Sequence, residues 1–502
     1  MKIHLLIIAL ILVGCSAKDT KEAEIQPNVL FLFADDQMFE TLGALPGSQV
    51  KTPNLDRLMN QGVLFSYAYN MGSYAPAVCV ASRAMLITGT FLWEAASYSP
   101  TANNRDVNAP KSNMDYFIEQ KEPKGYWPAY MKEAGYETFM TGKWHFAEDP
   151  ATMFDSVAHV RGGMPSQTPG RYARTFDPAQ EDTWSPYDTT LGGFWKGGKH
   201  WSEIVADDAI NFIDLAKSTE EPFFAYVAFN APHDPRQSPQ RFVEMYPADQ
   251  IAVPESFLPE YPYSEYAGAG RTLRDERLGP FPRTEYSVQV NRQEYYAIIT
   301  HMDEQIGRIL DALEASGEAE NTYIIFTADH GLAVGDHGFM GKQNMYEASM
   351  RVPLLLVGPK VPAGKVVSEF VYLQDAMATA LDVAKFEKPA HIDFNSLMPL
   401  ATGEQTESHY PTIYGAYFGS QRMYRTKEYK MIFYPTANRI RLYDMQADPR
   451  ELNDLALDKE KNGELMKRLF AEYQGLQREM NDPIDLSQSF DAFLKGIPAP
   501  QL

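Results

Sequence analysis

Cysteine is almost absent from this chain, since Cys15 and Cys79 are the only two among 502 residues. Two such distant cysteines cannot form the dense disulfide framework of small secreted domains, which excludes that class of protein. Basic residues are also outnumbered, with 45 lysines and arginines against 66 aspartates and glutamates and a formal net charge of −21. Binding to nucleic acid requires a basic surface, so no nucleic-acid partner is expected, and any anionic ligand must be recognised locally.

Long apolar runs are missing too, except near the N-terminus. Residues 5–13, LLIIALILV, are too few to cross a bilayer as a helix, which takes about 20 apolar residues. They are typical of a signal peptide over residues 1–15, and LVGC (12–15) resembles the lipobox of bacterial lipoproteins. The resemblance implies that lipidation of Cys15 anchors an exported protein in the bacterial cell envelope, at the outer membrane or the periplasmic face. Ordinary cleavage nearby is the alternative, and in both cases Cys15 cannot pair with Cys79.

Alternating apolar and amphipathic segments organise most of the chain after a polar tether at residues 16–26. Apolar runs with polar C-terminal ends occur at 28–37, 136–145, 222–233, 322–331 and 352–358. Helix-like segments occur at 53–62, 127–135, 202–217 and 291–317. This alternation predicts an α/β domain over residues 27–390, built on a mostly parallel sheet flanked by helices. Ligands of such sheets bind beyond the carboxyl ends of the strands, where the polar ends would meet.

Two regions differ from this pattern. From residue 391 to 502, short aromatic-rich strands and a polar helix at about 458–480 predict a smaller C-terminal subdomain of antiparallel sheet plus helix. Residues 149–201 are rich in glycine, proline, arginine and aromatic residues, which predicts a long loop insertion. Loops of that length in a compact domain are usually functional.

Two pairs of polar residues, Asp35-Asp36 and Asp329-His330, each end a predicted strand. Side chains alternate along an extended strand, so adjacent carboxylates share one ion only where the strand ends and the chain turns. Three carboxylates and one imidazole offer mainly oxygen ligands, which favours a hard cation such as calcium over zinc. Each pair alone is also typical of a turn or a helix cap.

The isolated Cys79 lies four residues before Arg83, so the two side chains share one face if this segment is helical. At a helix N-terminus, backbone N–H groups and the helix dipole would favour an anion beside the cysteine. A buried, inert cysteine is the alternative for any lone thiol.

Six segments, in this order, resemble those of the type I sulfatases, a family of the alkaline-phosphatase-like superfamily. They are PNVLFLFADDQ (27–37), CVASRAMLITG (79–89), GKWH (142–145), APHDP (231–235), ADHG (328–331) and LYDMQADPRELNDLA (442–456). The resemblance covers about 26–460, most of the mature chain. It implies an alkaline-phosphatase-like α/β fold and a sulfuric ester hydrolase, similar to the polysaccharide sulfatases of bacterial lipoprotein type.

The resemblance implies that Cys79 is oxidised after synthesis to formylglycine. One hydroxyl of the hydrated aldehyde would attack sulfur, and the second would allow the aldehyde to be regenerated. The family signature reads Cys-x-Pro-x-Arg, whereas this chain has Ala81 at the proline position. That variant resembles the one processed by anaerobic radical-type enzymes. The maturing partner is therefore either a formylglycine-generating enzyme or an anaerobic sulfatase-maturating enzyme.

The resemblance also implies a role for each matching residue. The calcium ligands would be the modified residue 79 with Asp35, Asp36, Asp329 and His330. Arg83 would stabilise the ionised nucleophile, and the sulfate oxygens would be held by Lys143 and Lys342. His145 would assist the formylglycine hydroxyls, on the same face as Lys143 if the chain is extended there. The leaving alcohol would be protonated by His233.

Two other functions remain open from the sequence. A phosphoesterase of the same superfamily would need a serine or threonine nucleophile and usually two zinc ions with more histidine ligands, which the Cys79–Arg83 segment does not match. An inactive glycan-binding lipoprotein would have lost a metal ligand or Arg83, and the sequence retains them.

The insertion at 149–201 suggests the substrate class. Its basic and aromatic side chains are Arg161, Arg171, Arg174, Trp184, Trp195, Lys196, Lys199, His200 and Trp201. We expect them to form a basic rim that binds a sulfated polysaccharide or its oligosaccharides, although solvated surface is the alternative for the charges. The prediction is an algal type, such as ulvan, carrageenan or fucoidan, with a glycosaminoglycan or a small-molecule sulfate ester as the alternative.

Overall fold

The computed structural model describes residues 26–99, 118–163, 170–172, 174–180 and 182–499. The predicted signal peptide, Cys15 and nearly all of the predicted tether lie outside the described residues. Within these ranges, no helix combines the length and the apolar content that crossing a membrane requires.

The described ranges contain sixteen strands and thirteen α-helices. The strands are β1 (Asn28–Asp35), β2 (Val63–Tyr69), β3 (Gly72–Ser73), β4 (Glu137–Lys143), β5 (Ser156–Arg161), β6 (Trp195–Lys196), β7 (Lys199–His200), β8 (Phe223–Pro232), β9 (Thr322–Ala328), β10 (Arg351–Val352), β11 (Leu354–Val357), β12 (Lys365–Tyr372), β13 (Ile413–Tyr417), β14 (Gln421–Arg425), β15 (Tyr429–Tyr434) and β16 (Arg439–Asp444). The helices are α1 (Pro53–Gln61), α2 (Val78–Thr88), α3 (Leu92–Ser97), α4 (Trp127–Glu133), α5 (Pro150–Met153), α6 (Trp201–Ala216), α7 (Gln240–Glu244), α8 (Glu285–Ser316), α9 (Glu347–Met350), α10 (Asp375–Val383), α11 (Met398–Thr402), α12 (Lys459–Glu479) and α13 (Ser487–Leu494).

A large, mostly parallel sheet forms the centre of the described structure, which confirms the predicted fold class. Its strands lie in the order β10-β2-β11-β9-β1-β8-β4-β5, and β12 also pairs with β2. All neighbours from β9 to β5 are parallel. The segment at 352–358 supplies β11, but the expectation of a parallel strand there is wrong, because β11 is antiparallel to β9 and β2. Between β9 and β11 the chain has only the four-residue helix α9 and the short β10, and it lacks the long helix that usually connects a parallel pair.

Apolar runs explain why these strands are central. Every residue of β1 and β8 is buried, as expected of strands covered on both faces. Helices α6 and α8 pack against β8 and against each other, while α4 packs against β4 and contacts α2. Helix α8 begins six residues before the predicted start at 291, because Thr284 and Ser287 form a capping box that stabilises an earlier first turn.

A second sheet lies in the C-terminal part of the chain. Strands β13 to β16 form an antiparallel meander, and the two-residue β3 joins its edge parallel to β13. Helix α12 (Lys459–Glu479) confirms the helix predicted at about 458–480. Because β3 ends five residues before α2, this sheet holds the segment that leads to Cys79. The domain division at residue 390 stays a prediction.

The prediction of a loop insertion at 149–201 is wrong for much of its described part. Strand β5 is an edge strand of the large sheet, paired with β4, and β6 and β7 form a short hairpin that leads into α6. The three tryptophans Trp184, Trp195 and Trp201 are all buried. They pack inside the fold, so they are not available to stack on a sugar ring at the surface.

Candidate active site

Four neighbouring strands bring most of the predicted site residues to one edge of the large sheet. Asp35 ends β1, Lys143 ends β4, His233 follows β8 and Asp329 follows β9. These strands are adjacent and parallel in the order β9-β1-β8-β4, so their carboxyl ends lie side by side. The predicted meeting of the polar strand ends is confirmed for these four strands and is wrong for the run at 352–358, because β11 is antiparallel to β9. All four side chains are buried.

Three carboxylates cluster at this edge. Oxygen atoms of Asp35, Asp36 and Asp329 all lie within 4.8 Å of one another. Asp36 adopts a left-handed backbone conformation (φ 73°), which turns the chain after the strand, and its backbone N–H donates to Asp329 Oδ1 at 3.1 Å. Burial raises the pKa of the Asp35 carboxyl well above its usual range, the nearby negative charges raise it further, and Lys143 opposes them.

The donor set of this cluster fits a hard cation. Asp35 Oδ1 is buried without a hydrogen-bond partner, and so is His330 Nε2, although that nitrogen lies only 3.1 Å from Asp36 Oδ1. His330 Nε2 and Asp36 Oδ1 thus face each other without a hydrogen bond, an arrangement suited to two ligands that share one metal ion. The carboxylate-rich set matches calcium better than zinc. The residues that would hold the ion are those predicted from the sequence, with Cys79 close to Asp329 and His330.

Cys79 is the second residue of α2 and is only 2% exposed. Lys342 Nζ lies 3.3 Å from its Sγ and 2.7 Å from Asp36 Oδ1. Burial raises the pKa of the thiol, but Lys143 and Lys342 outweigh burial and hold it well below its usual range, with further lowering by His145 and His233. The position therefore stabilises an anionic nucleophile, supported by the helix N-terminus.

Arg83 lies one turn along the same helix face and is completely buried. Its Nε donates to Asp329 Oδ2 at 3.1 Å, and its Nη1 donates to the carbonyl of Lys143 at 3.0 Å. Arg83 thus ties α2 to the ends of β9 and β4, and its positive charge also acts on Cys79 electrostatically. The helix predicted from the spacing of Cys79 and Arg83 is confirmed.

The two candidate histidines both lie within hydrogen-bond reach of Cys79. His233 Nδ1 is 2.8 Å from the carbonyl oxygen of Asp234, which leaves Nε2 directed toward Asp36 at 3.6 Å. Burial, the largest single effect, lowers the pKa of His233, but the neighbouring carboxylates, with Asp36 the strongest, together outweigh burial and raise the pKa well above its usual range. His145 follows the end of β4 with φ 52°, so the extended strand face expected for it is wrong. Its ring packs against Gly163, where a Cβ atom would lie 2.7 Å from Nε2.

The motif glycine before Lys143 has a structural reason. Gly142 has φ +97°, and a Cβ atom there would lie 1.8 Å from the carbonyl oxygen of Ala228 in β8. Only glycine permits this close approach of the two strands, and the pairing of β4 with β5 shifts register at the same point. The irregular strand end delivers Lys143 to Asp35, with which it forms a buried ion pair.

The basic rim expected from the insertion does not form from the predicted side chains. Most of them are already engaged: Arg171 and Arg174 pair with Glu294, Lys199 pairs with Asp207, and Arg161 lies 3.8 Å over the ring of Trp201, with Lys196 beside it at 5.7 Å. His200 is buried and caps α6 by accepting from the backbone N–H of Ser202. The side chains of Arg171 and Arg174 are buried in their ion pairs, whereas Lys196 and Lys199 remain exposed. The rim expected from all of these side chains together is therefore wrong.

Another group of polar residues lies beside His233 and was not predicted. Tyr172 donates a hydrogen bond to Asp234, Arg274 Nε donates to Asp275 Oδ1 at 2.8 Å, and Gln343 Nε2 donates to Asp275 Oδ2 at 2.8 Å. Asp234 belongs to the APHDP segment, so its position beside His233 could have been predicted from the sequence. Arg274 and Asp275 lie in an irregular stretch without periodicity or a motif, which gave no signal.

Comparisons with known proteins identify relatives over nearly the whole chain. The profile of the Sulfatase family matches residues 27–386, and the profile of the N-sulphoglucosamine sulphohydrolase C-terminal region matches residues 335–479. The N-acetylglucosamine-6-O-sulfatase of Bacteroides thetaiotaomicron is 29% identical over 95% of this chain and 90% of its own length.

Solved structures share the fold. A protein in complex with its substrate D-glucosamine-2-N,6-O-disulfate superposes with a TM-score of 0.69 at 24% identity, covering 91% of this chain and 99% of that one. The phosphonate monoester hydrolase of Silicibacter pomeroyi superposes with a TM-score of 0.70 at 21% identity, covering 92% and 97%. At these identities the likeness concerns the fold, and the family profile carries the assignment.

Proposed function

Because this chain belongs to the sulfatase family and is a sulfuric ester hydrolase, we propose that it removes sulfate esters from saccharides with formylglycine at position 79 and a calcium ion. The observation that carries this proposal is the setting of Cys79. It stands at a helix N-terminus beside Lys342 and next to three clustered carboxylates. A phosphoesterase of this superfamily would place a serine or threonine there, and the chain does not.

When present, formylglycine would supply the attacking hydroxyl, and calcium would lower its pKa and polarise the sulfate. The protein's own cations would bind the sulfate group. Lys342 is within reach of residue 79, and Lys143 lies close enough to lower its pKa, so both would meet the sulfate oxygens beside the nucleophile. Both amines are buried, which strengthens their attraction for an anion.

His233 would protonate the leaving alcohol. The hydrogen bond from its Nδ1 to the carbonyl of Asp234 fixes that nitrogen as a donor, so the proton to be transferred is held at Nε2, on the side of the active centre. The neighbouring carboxylates, with Asp36 the strongest, raise the pKa of His233 well above its usual range, which favours the protonated imidazole that a general acid requires. His145 also lies within hydrogen-bond reach of residue 79, so it would bind the hydroxyls of the modified residue.

The substrate class is proposed from the relatives. The Bacteroides thetaiotaomicron relative is by its name an N-acetylglucosamine-6-O-sulfatase, and its match spans nearly the whole chain, which supports a 6-sulfated hexosamine of glycosaminoglycan type. The algal polysaccharides predicted from the sequence stay possible substrates, but the buried tryptophans remove the surface on which that prediction was based.

The test is free sulfate release by protein co-produced with a maturase. The panel would contain N-acetylglucosamine 6-sulfate, glycosaminoglycan disaccharides, and oligosaccharides of ulvan, carrageenan and fucoidan, with an aryl sulfate and an aryl phosphate as references. We expect release from the sulfated hexosamine and none after Cys79→Ala. Hydrolysis of the phosphate alone would support the phosphoesterase instead. Co-production with each of the two maturase types would show which one accepts Ala81.

Export and lipid anchoring at Cys15 are part of the same proposal and are supported by the sequence alone. An anchored enzyme in the cell envelope would meet saccharides outside the cytoplasm. Labelling of cells with a fatty-acid analogue should mark the wild-type protein and not the Cys15→Ala variant, which should appear in the soluble fraction. Equal labelling of both proteins would contradict the anchor.

A further inference from the structure

One partly exposed positive charge, that of Arg274, lies next to the buried residues that surround residue 79. The side chain of Arg274 is 39% exposed, whereas the charged groups behind it are nearly inaccessible: Asp234 is 4% exposed, Asp275 5%, His233 3% and Lys342 1%. A substrate that approaches this side of the nucleophile therefore meets the guanidinium first. The aspartates that balance its charge lie beneath it.

A chain of contacts places Arg274 at the entrance. Gln343, the neighbour of Lys342, donates to the carbonyl of the exposed Pro76 at 3.4 Å, three residues before Cys79, and to Asp275 at 2.8 Å. Asp275 accepts from Arg274, whose Nη2 lies 4.0 Å from Asp234. The contacts thus connect the segment before Cys79 with His233, which is 3.0 Å from Asp234.

Arg274 also retains donor capacity. Among the described residues, Asp275 Oδ1 is the one acceptor of its hydrogen bonds, through Nε and Nη2. The Nη1 group is left for a ligand. A guanidinium held on one edge by a buried carboxylate keeps a fixed orientation, so it binds a second oxygen group at a small cost in side-chain entropy.

We propose that Arg274 binds a second anionic group of the substrate, a carboxylate or a second sulfate near the ester that is cleaved. The substrate class is then a saccharide with two negative charges, and Arg274 provides the local attraction that a chain with net charge −21 needs. This inference rests on the proposed saccharide sulfatase function and adds a specificity-determining residue to it.

The test compares saccharides that differ in the second charge. N-acetylglucosamine 6-sulfate has one anionic group, glucosamine 2-N,6-O-disulfate has two sulfates, and a 6-sulfated disaccharide with a uronic acid adds a carboxylate. For the wild type we expect kcat/KM about 10-fold higher on a doubly anionic substrate, the size of one hydrogen-bonded charge contact. Arg274→Gln should remove this preference, so that kcat/KM falls about 10-fold more on the doubly anionic substrates than on the singly charged one. High salt should weaken the wild-type preference.

Arg271 offers a matched control three residues away. It is exposed, lies on the same stretch of chain and pairs with Glu260 instead of with Asp234 or Asp275. Arg271→Gln should keep the preference. The proposal is overturned if the wild type shows no preference, if Arg274→Gln retains it, or if Arg274→Gln slows all substrates equally, which would mean that Arg274 only supports Asp234 and His233. Absence of sulfate release from every saccharide by the matured wild type would instead contradict the proposed function.

Discussion

Replacement of Lys342 by alanine tests how the buried cations act. Its Nζ is within hydrogen-bond distance of three atoms: 2.7 and 2.8 Å from the two oxygens of Asp36 and 3.3 Å from Cys79 Sγ. Losing a preorganised donor to developing negative charge costs about 10²–10³ in kcat, or about 2.7–4 kcal/mol. Lys342 lies beside residue 79, where negative charge develops during the reaction, so we expect Lys342→Ala to lower kcat by about 10²–10³.

The assay is sulfate release under saturating substrate, with the fraction of formylglycine and the calcium content measured for each preparation. These two measurements separate a catalytic loss from failed maturation or metal loss. Lys217→Ala is a matched control, because that lysine is about half exposed and pairs with Asp214 three residues away on the surface. A kcat for Lys342→Ala within threefold of the wild type, at equal formylglycine and calcium content, would refute the role given to this lysine.

Three further predictions concern the metal, the core and a buried acid. Asp329→Asn should lower the calcium content and sulfate release together. The control Asp336→Asn, which changes an ion pair with Arg292 outside the cluster, should leave the calcium content unchanged. Stoichiometric zinc in the wild type would contradict the calcium proposal. Trp127→Ala should reduce the free energy of unfolding by about 3–5 kcal/mol in urea titrations, because the completely buried indole packs among aromatic rings of β1 and β8, and a loss below 1 kcal/mol would contradict this. Burial raises the pKa of Asp375 to about 7, so between about pH 4 and pH 7 the carboxyl ionises in the unfolded state before it ionises in the folded state, and the stability of the wild type falls as the pH rises. Asp375→Asn lacks this dependence, so its stability relative to the wild type should be higher at pH 8 than at pH 5. An equal difference at both pH values would contradict the shift.

The site centre could be predicted from sequence because its residues follow from strand ends and one helix. Asp35 and Asp329 stand at the ends of apolar runs that are typical of buried parallel strands, and neighbouring parallel strands end side by side. The spacing of Cys79 and Arg83 already indicated one helix face. These inferences depend on local periodicity, and the structure has the same local elements.

Other features depended on tertiary packing and were missed. Trp184, Trp195 and Trp201 have the composition of an exposed binding loop, yet they are buried, because composition does not show which face of a segment meets the core. The backbone at His145 has a positive φ, and no residue in that segment indicates such a turn from the sequence. Arg274 lies in a stretch without periodicity, so its proximity to Asp234 appeared only with the folded chain.

The central claim is tested most directly by relating turnover to the state of residue 79. Preparations made with increasing amounts of maturase would be analysed by mass spectrometry of the peptide that ends at Arg83, and kcat for sulfate release would be plotted against the fraction of residue 79 present as aldehyde. The account predicts a straight line through the origin, with no turnover for the unmodified thiol or for Cys79→Ala. Turnover that is independent of the aldehyde fraction would contradict it.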